Sequence, residues 1–175
     1  LLKKESRILG LSTTDTRHGR MFVVGVVFRG RFWLDGIVAC WITPKTVSQI
    51  SKISRTIIAS RQYSQLHAVI LSKKSPLSEE ESEIAELASR VKLPVVSIVK
   101  RWTAKNETKR FRVNHYVLNV GGEAVHALAK GISREKTQEL FDFSSAPNFS
   151  APEPVRVADL IAEQVTLKWN SLGLA

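Results

Sequence analysis

The sequence predicts an α/β domain on a mixed five-stranded sheet: three antiparallel strands, then parallel crossovers, with helices on both faces. Three observations predict it. Apolar runs of strand type at 7–11, 21–28 and 32–42 precede any helical spacing. After residue 43 the apolar period lengthens from two to between three and four. Strand and helix then alternate through residue 99, as in parallel strands joined by crossover helices.

Each element has its own local reason. Arg7-Ile8-Leu9-Gly10-Leu11 is an apolar run that ends in the polar stretch 12–19. The β-branched and aromatic runs 21–28 and 32–42 are separated only by Arg29-Gly30-Arg31, which predicts an antiparallel hairpin. Thr43-Pro44 offers an N-cap followed by proline at the first helical position. Val47, Ile50, Ile53, Ile57 and Ile58 follow at helical spacing, to an end near Ser60. His67-Ala68-Val69-Ile70-Leu71 is a buried strand. A second helix opens at Leu77, with Ser78 and Glu81 as a capping box and Ile84, Leu87, Ala88 and Val91 as its buried stripe. Residues 94–99 form the fifth strand. Residues 116–120 and 124–129 are two further candidate strands around Gly121-Gly122, read as a turn signal. A short helix over 132–141 and a final helix over 152–169 complete the chain. This is the order of a ribonuclease-H-like architecture. A doubly wound fold would alternate strand and helix from the start.

A length of 175 residues fits one domain, 1–175, and no internal repeat divides it. The 26 Lys and Arg exceed the 16 Asp and Glu by ten, an excess that points to a polyanionic partner such as nucleic acid. A lone cysteine, Cys40, excludes an internal disulfide and a Cys-rich zinc module, and suits the cytoplasm. It alternates with Ala39 and Trp41 in a strand and reads as core. No apolar run is long enough for a membrane span, and Leu1-Leu2-Lys3-Lys4-Glu5 does not read as a signal peptide. His18, His67, His115 and His126 lack metal-ligand spacing, and no phosphate-cradling or nucleophile-elbow motif occurs.

Several runs carry a family resemblance: Ile8-Leu9-Gly10-Leu11, the stretch 23–30 (VVGVVFRG), Trp33-Leu34-Asp35-Gly36, Ser60-Arg61-Gln62-Tyr63, 129–133 and 152–162 (PEPVRVADLIA). Together they resemble an archaeal family catalogued as domain of unknown function ninety-nine, related to endonuclease V. The resemblance covers nearly the whole chain. It implies a ribonuclease-H-like fold and archaeal origin.

Nucleases of this fold hold two divalent metals on carboxylates, at the ends of the first and fourth strands and on a late helix. The family resembled shows an Asp pair after the first strand, where this chain has Ser12 and Thr13, with Asp15 further into the loop. It shows Asp after the fourth strand, where this chain reads Ser72-Lys73-Lys74. Hydroxyls are weak metal ligands and paired ammonium groups repel a divalent cation. Asp159 on the last helix survives, at the border of the stripe formed by Val155, Ala158, Ala162 and Val165. Asp35 reads as a sheet-surface or turn residue. The expected cage is lost. Asp15 and Asp159 are its vestigial candidates, Ser12 and Ser72 its replaced positions, and no cofactor is implied. Magnesium or manganese enters only if Asp15 and Asp159 form a rearranged endonuclease site.

Residues 100–112 carry six basic side chains, Lys100, Arg101, Lys105, Lys109, Arg110 and Arg112, against one acid. Residues beyond the carboxyl ends of parallel strands line the crevice of such sheets. Lys73 and Lys74 follow the fourth strand, and Arg17 and Arg20 follow the first. The three basic stretches are expected to converge where a nuclease keeps its metals and to neutralise phosphates directly. Trp102 and Phe111 are candidates to stack on unpaired bases. The function expected is binding of single-stranded or structured nucleic acid without catalysis. An active metal-dependent endonuclease and a protein-interaction scaffold are the alternatives.

Overall fold

The computed structural model describes residues 2–3, 5–78, 80–100 and 111–171. The first apolar run forms β1 (Arg7–Thr13), which pairs antiparallel with β2 (Met21–Arg29). Strand β2 pairs antiparallel with β3 (Trp33–Ile42), with a register shift between Val27 and Phe28. The chain then crosses through α1 (Gln49–Ile58) to β4 (Leu66–Leu71), parallel to β1. It crosses again through α2 (Glu81–Val91) to β5 (Val95–Val99), parallel to β4. The hairpin β6 (Asn114–Val120) and β7 (Glu123–Lys130) follows, then α3 (Arg134–Ser144) and α4 (Glu153–Ser171).

Alternating side chains of the strands bury on opposite faces. Leu9, Leu11, Val23, Val69 and Val95 share one core cluster with Ile50, Ile53 and Ile57 of α1 and Ile84 and Leu87 of α2. Ile8, Ile70, Val96 and Ile98 share another with Leu140 and Phe141 of α3 and Val155 of α4. Val24, Val26 and Phe28 pack on Ala158 and Ala162 of α4. Helices therefore cover both faces, as expected of the ribonuclease-H-like fold.

The sheet has seven strands, not five, in the order β3-β2-β1-β4-β5-β7-β6. The two extra strands come from the Gly121-Gly122 turn. Both glycines adopt positive φ, 61° and 87°, which closes a two-residue hairpin whose β7 then pairs antiparallel with β5. A turn signal flanked by two short runs was a hairpin signal.

Two helix starts also differ from expectation. Thr43 does not cap α1: its carbonyl accepts the Thr46 hydroxyl at 2.7 Å in a preceding turn, and the N-cap is Ser48. Val47 is consequently 98% exposed and stands outside the stripe of Ile50, Ile53 and Ile57. Residues Pro76–Ser78 form a separate 3-10 turn, and Glu80, not Ser78, occupies the N-cap of α2. Glu81 and Glu83 still place negative charge in the first turn.

Burial pushes the Glu83 carboxyl up from its usual 4.5, partly offset by the hydrogen bond it accepts from Gln49, with Glu80 and Glu86 adding repulsion. The folded state thus binds this proton more tightly than the unfolded chain. Its contribution to stability is full below 4.5 and is lost as pH rises through the raised folded value. Glu83→Gln is expected to raise the unfolding midpoint at neutral pH and to flatten the acid side of the profile. A pH series of thermal melts checks this.

Helix α4 is set by one glycine. A Cβ on Gly10 would stand 2.3 Å from the Pro154 carbonyl carbon and 2.4 Å from the Val155 nitrogen. The first turn of α4 therefore lies directly on the backbone of β1. Glu153 accepts two hydrogen bonds from Arg156, both at 2.8 Å, and the Arg156 guanidinium sits 4.9 Å over the Phe149 ring.

Candidate nucleic-acid interface

The parallel strands β1, β4 and β5 end at one edge of the sheet, and α4 passes beside it. Ser72 N–H donates to the Leu11 carbonyl at 2.8 Å, which holds the turn after β4 against the end of β1. Because Gly10 fixes the first turn of α4, Asp159 reaches this edge, and the Ser12 hydroxyl donates to its carboxylate at 2.5 Å. Ser12 and Ser72 are fully buried, and the Ser72 hydroxyl accepts the Lys74 backbone N–H at 3.1 Å. A cleft of about 260 Å³ opens here between Ser72, Lys73, Lys100, His126 and Asp159. The three positions singled out for a metal cage, Ser12, Ser72 and Asp159, do meet.

Their chemistry does not fit a pair of divalent metals. Two of the three groups are neutral hydroxyls already engaged in hydrogen bonds. The Lys74 ammonium pairs with Glu163, and that bond, with the nearby Asp159 and Glu163 charges, holds its pKa above the usual 10.5 against the opposing effect of burial. A fixed ammonium thus stands in the field of the remaining acid. Among the described residues no three His, Cys, Asp or Glu side chains converge on a metal-sized space. Asp15 is exposed in the loop after β1 and does not line the cleft.

The predicted basic surface is divided. Lys73 and Lys100 line the cleft, and Lys74 faces α4 beside it. Arg17 and Arg20 do not line the cleft but a second pocket, with Trp41 and Trp169. Phe111 and Arg112 lie at the far end of the sheet, where their carbonyls accept the Lys130 ammonium at 2.6 and 3.3 Å. Lys130 pairs with Val95, the first residue of β5, whereas Lys100 follows its last. The expected convergence of all three stretches is therefore corrected: β7 is antiparallel to both β5 and β6, so β6 runs in the direction of β5 and its start, just after Phe111 and Arg112, lies at the opposite end from the cleft. Arg101, Trp102, Lys105, Lys109 and Arg110 fall outside the described residues.

Sequence reasoning missed three groups here. Glu163 lies four residues after Asp159, one helical turn on, and that spacing was the available signal. His126 faces the cleft, and its Nδ1 is 3.0 Å from Nε2 of His115 in a stacked pair. The two are diagonal neighbours across the β6–β7 hairpin, invisible until the turn is recognised. Trp169 stacks on Trp41, a contact between distant segments that no spacing reveals.

Most motif residues behind the family resemblance serve the scaffold. Asp35 ion-pairs with Arg7 at 2.6 Å, and Gln62 donates to the Asp35 carbonyl at 3.2 Å. The Tyr63 hydroxyl donates to the Val91 carbonyl at 2.7 Å. No helix among the described residues is long and apolar enough to cross a membrane.

Comparison with known proteins agrees with this fold. A UPF0215 protein of Methanosarcina mazei is 27% identical over 186 aligned positions, covering 95% of this chain and 93% of its own. The crystal structure of human ENDOV superimposes with a TM-score of 0.70 at 14% identity, covering 93% of this chain and 85% of that one. Endonuclease V of Ciona intestinalis, in complex with a 24mer DNA containing an inosine followed by a ribo-adenosine, gives 0.66 at 11% identity over 93% and 86%. These two structures share the ribonuclease-H-like fold with this chain. Residues 4–166 match the Endonuclease dU family, the endonuclease V-like group that the sequence motifs resembled, and the chain belongs to it.

Proposed function

We propose that this protein binds single-stranded nucleic acid along the edge bearing the cleft and does not cut it. The carrying observation is the exchange of charge at that edge. Ser12 and Ser72 stand where the fold keeps acids, Asp159 is engaged by the Ser12 hydroxyl, and Lys73, Lys74 and Lys100 surround it. Phosphates would be neutralised by ammonium groups instead of bridging cations. The formal charge of +10 supports an electrostatic partner, and the Ciona intestinalis relative in fold was crystallised with DNA.

A second reading has one observation in its favour, the name of the family, Endonuclease dU. On that reading Asp159 would work with a single metal at a rearranged site.

Salt titration of a labelled single-stranded 20-mer tests the binding. Affinity should fall linearly in logarithmic coordinates, by about 0.7 in slope for each phosphate engaged. A partner held through exposed aromatics would leave the slope near zero, and the scaffold reading would take its place.

A further inference from the structure

The loop after β1 turns through His18 and Gly19, both at positive φ, 46° and 69°. The backbones of Arg17 and Arg20 exchange two hydrogen bonds of 2.7 Å across it. This is a two-residue hairpin turn of the primed type. Residues directly opposite in such a ribbon project to the same side, and like charges so placed repel. Neither arginine has an acidic partner among the described residues. The fold therefore holds two guanidinium-bearing residues together without a counter-charge among the described residues.

Next to them lies an aromatic ladder. Phe22 meets Trp41 with ring centroids 5.1 Å apart, and Trp41 stacks on Trp169 at 5.0 Å with 19° between the planes. Trp41 is 41% exposed although it is large and apolar. Arg17, Arg20, Trp41 and Trp169 together line an open pocket of about 580 Å³, a size common for small-ligand sites.

We propose that this pocket is a nucleotide subsite of the nucleic-acid path: a base stacks on the Trp41–Trp169 ladder while Arg17 and Arg20 hold its phosphate. Guanidinium forks match phosphate oxygens, and aromatic faces take any base. Charge complementarity selects this occupant over a second copy of the basic chain. Asp159 and Trp169 are ten residues apart on α4, about 15 Å along its axis. At about 3.4 Å per stacked nucleotide, the pocket engages a strand about four nucleotides beyond the cleft. The inference rests on the function proposed above and extends it to a second, separate contact.

The test compares the full chain with Trp169→Ala, Trp169→Phe, the pair Arg17→Ala/Arg20→Ala and the cleft pair Lys73→Ala/Lys100→Ala. The probe is a single-stranded oligothymidylate 20-mer titrated at several salt concentrations, with thermal melts reporting folding. Trp169→Ala should bind about 5- to 100-fold more weakly with the salt slope unchanged, and Trp169→Phe should recover most of the loss. The arginine pair, on an exposed hairpin, should stay folded and lose about 0.7 of slope, for the one phosphate it holds. If only the cleft pair weakens binding, the subsite is refuted and the function stands. If the parent itself does not bind, both fall. Equal binding of polyglutamate overturns the subsite in favour of an acidic protein partner.

Discussion

Gly10→Ala should lower the thermal unfolding midpoint by roughly 4–8 °C, the effect of about 2 kcal/mol in a domain of this size. Two contributions oppose each other. Alanine in a strand is favoured over glycine by about 0.5–1 kcal/mol. The added methyl would meet the Pro154 carbonyl carbon at 2.3 Å and the Val155 nitrogen at 2.4 Å. Those atoms are backbone, so no rotamer change relieves the contact, and overpacking of this kind costs about 3 kcal/mol. The clash wins, and α4 must lift from β1. Gly122→Ala is the control: φ is 87° and nothing lies within 4 Å of the new methyl, so only the local backbone penalty of about 1–2 kcal/mol applies. A Gly10→Ala variant as stable as the parent would show that the first turn of α4 does not rest on β1.

The second large effect concerns binding. Lys105→Ala/Lys109→Ala/Arg110→Ala should reduce the salt slope by about 2 on single strands, at about 0.7 for each lost phosphate contact. Extrapolated from molar salt, that difference amounts to about 50-fold weaker affinity at 0.15 M. The loss should be the same for every base sequence, because phosphate contacts carry no sequence information. Unchanged affinity at low salt would remove this segment from the interface.

The fold was legible because its signals were local. Apolar alternation at 21–28 and 32–42 announced a hairpin, and helical spacing through Ile50, Ile53 and Ile57 announced the first crossover. The strand count was not: the runs on either side of Gly121-Gly122 read only as candidate strands, and the hairpin gains its place in the sheet from long-range pairing with β5. Ser12, Ser72 and Asp159, the positions the resemblance singled out, lie close together because strand ends are read from strand order. The basic surface was overextended for the same reason. Lys100 follows a strand that ends at the cleft, and nothing in the residues after it signals that the chain leaves. Phe111 and Arg112 instead lie beside Lys130, at the opposite end of the sheet. The contact of Trp41 with Trp169, across a long separation, leaves no trace in spacing alone.

On the function proposed above, a ribonuclease-H-like protein grips nucleic acid where its fold ordinarily cuts. One measurement bears on it most directly: a labelled single strand carrying deoxyuridine, and a second carrying inosine, incubated with the full chain in magnesium and then in manganese, with bound and cleaved fractions read from the same samples. The expected result is a salt-sensitive bound fraction and no cleavage above background, unchanged by Asp159→Ala. Cleavage that needs either metal and disappears in Asp159→Ala would contradict it and make this chain an active endonuclease.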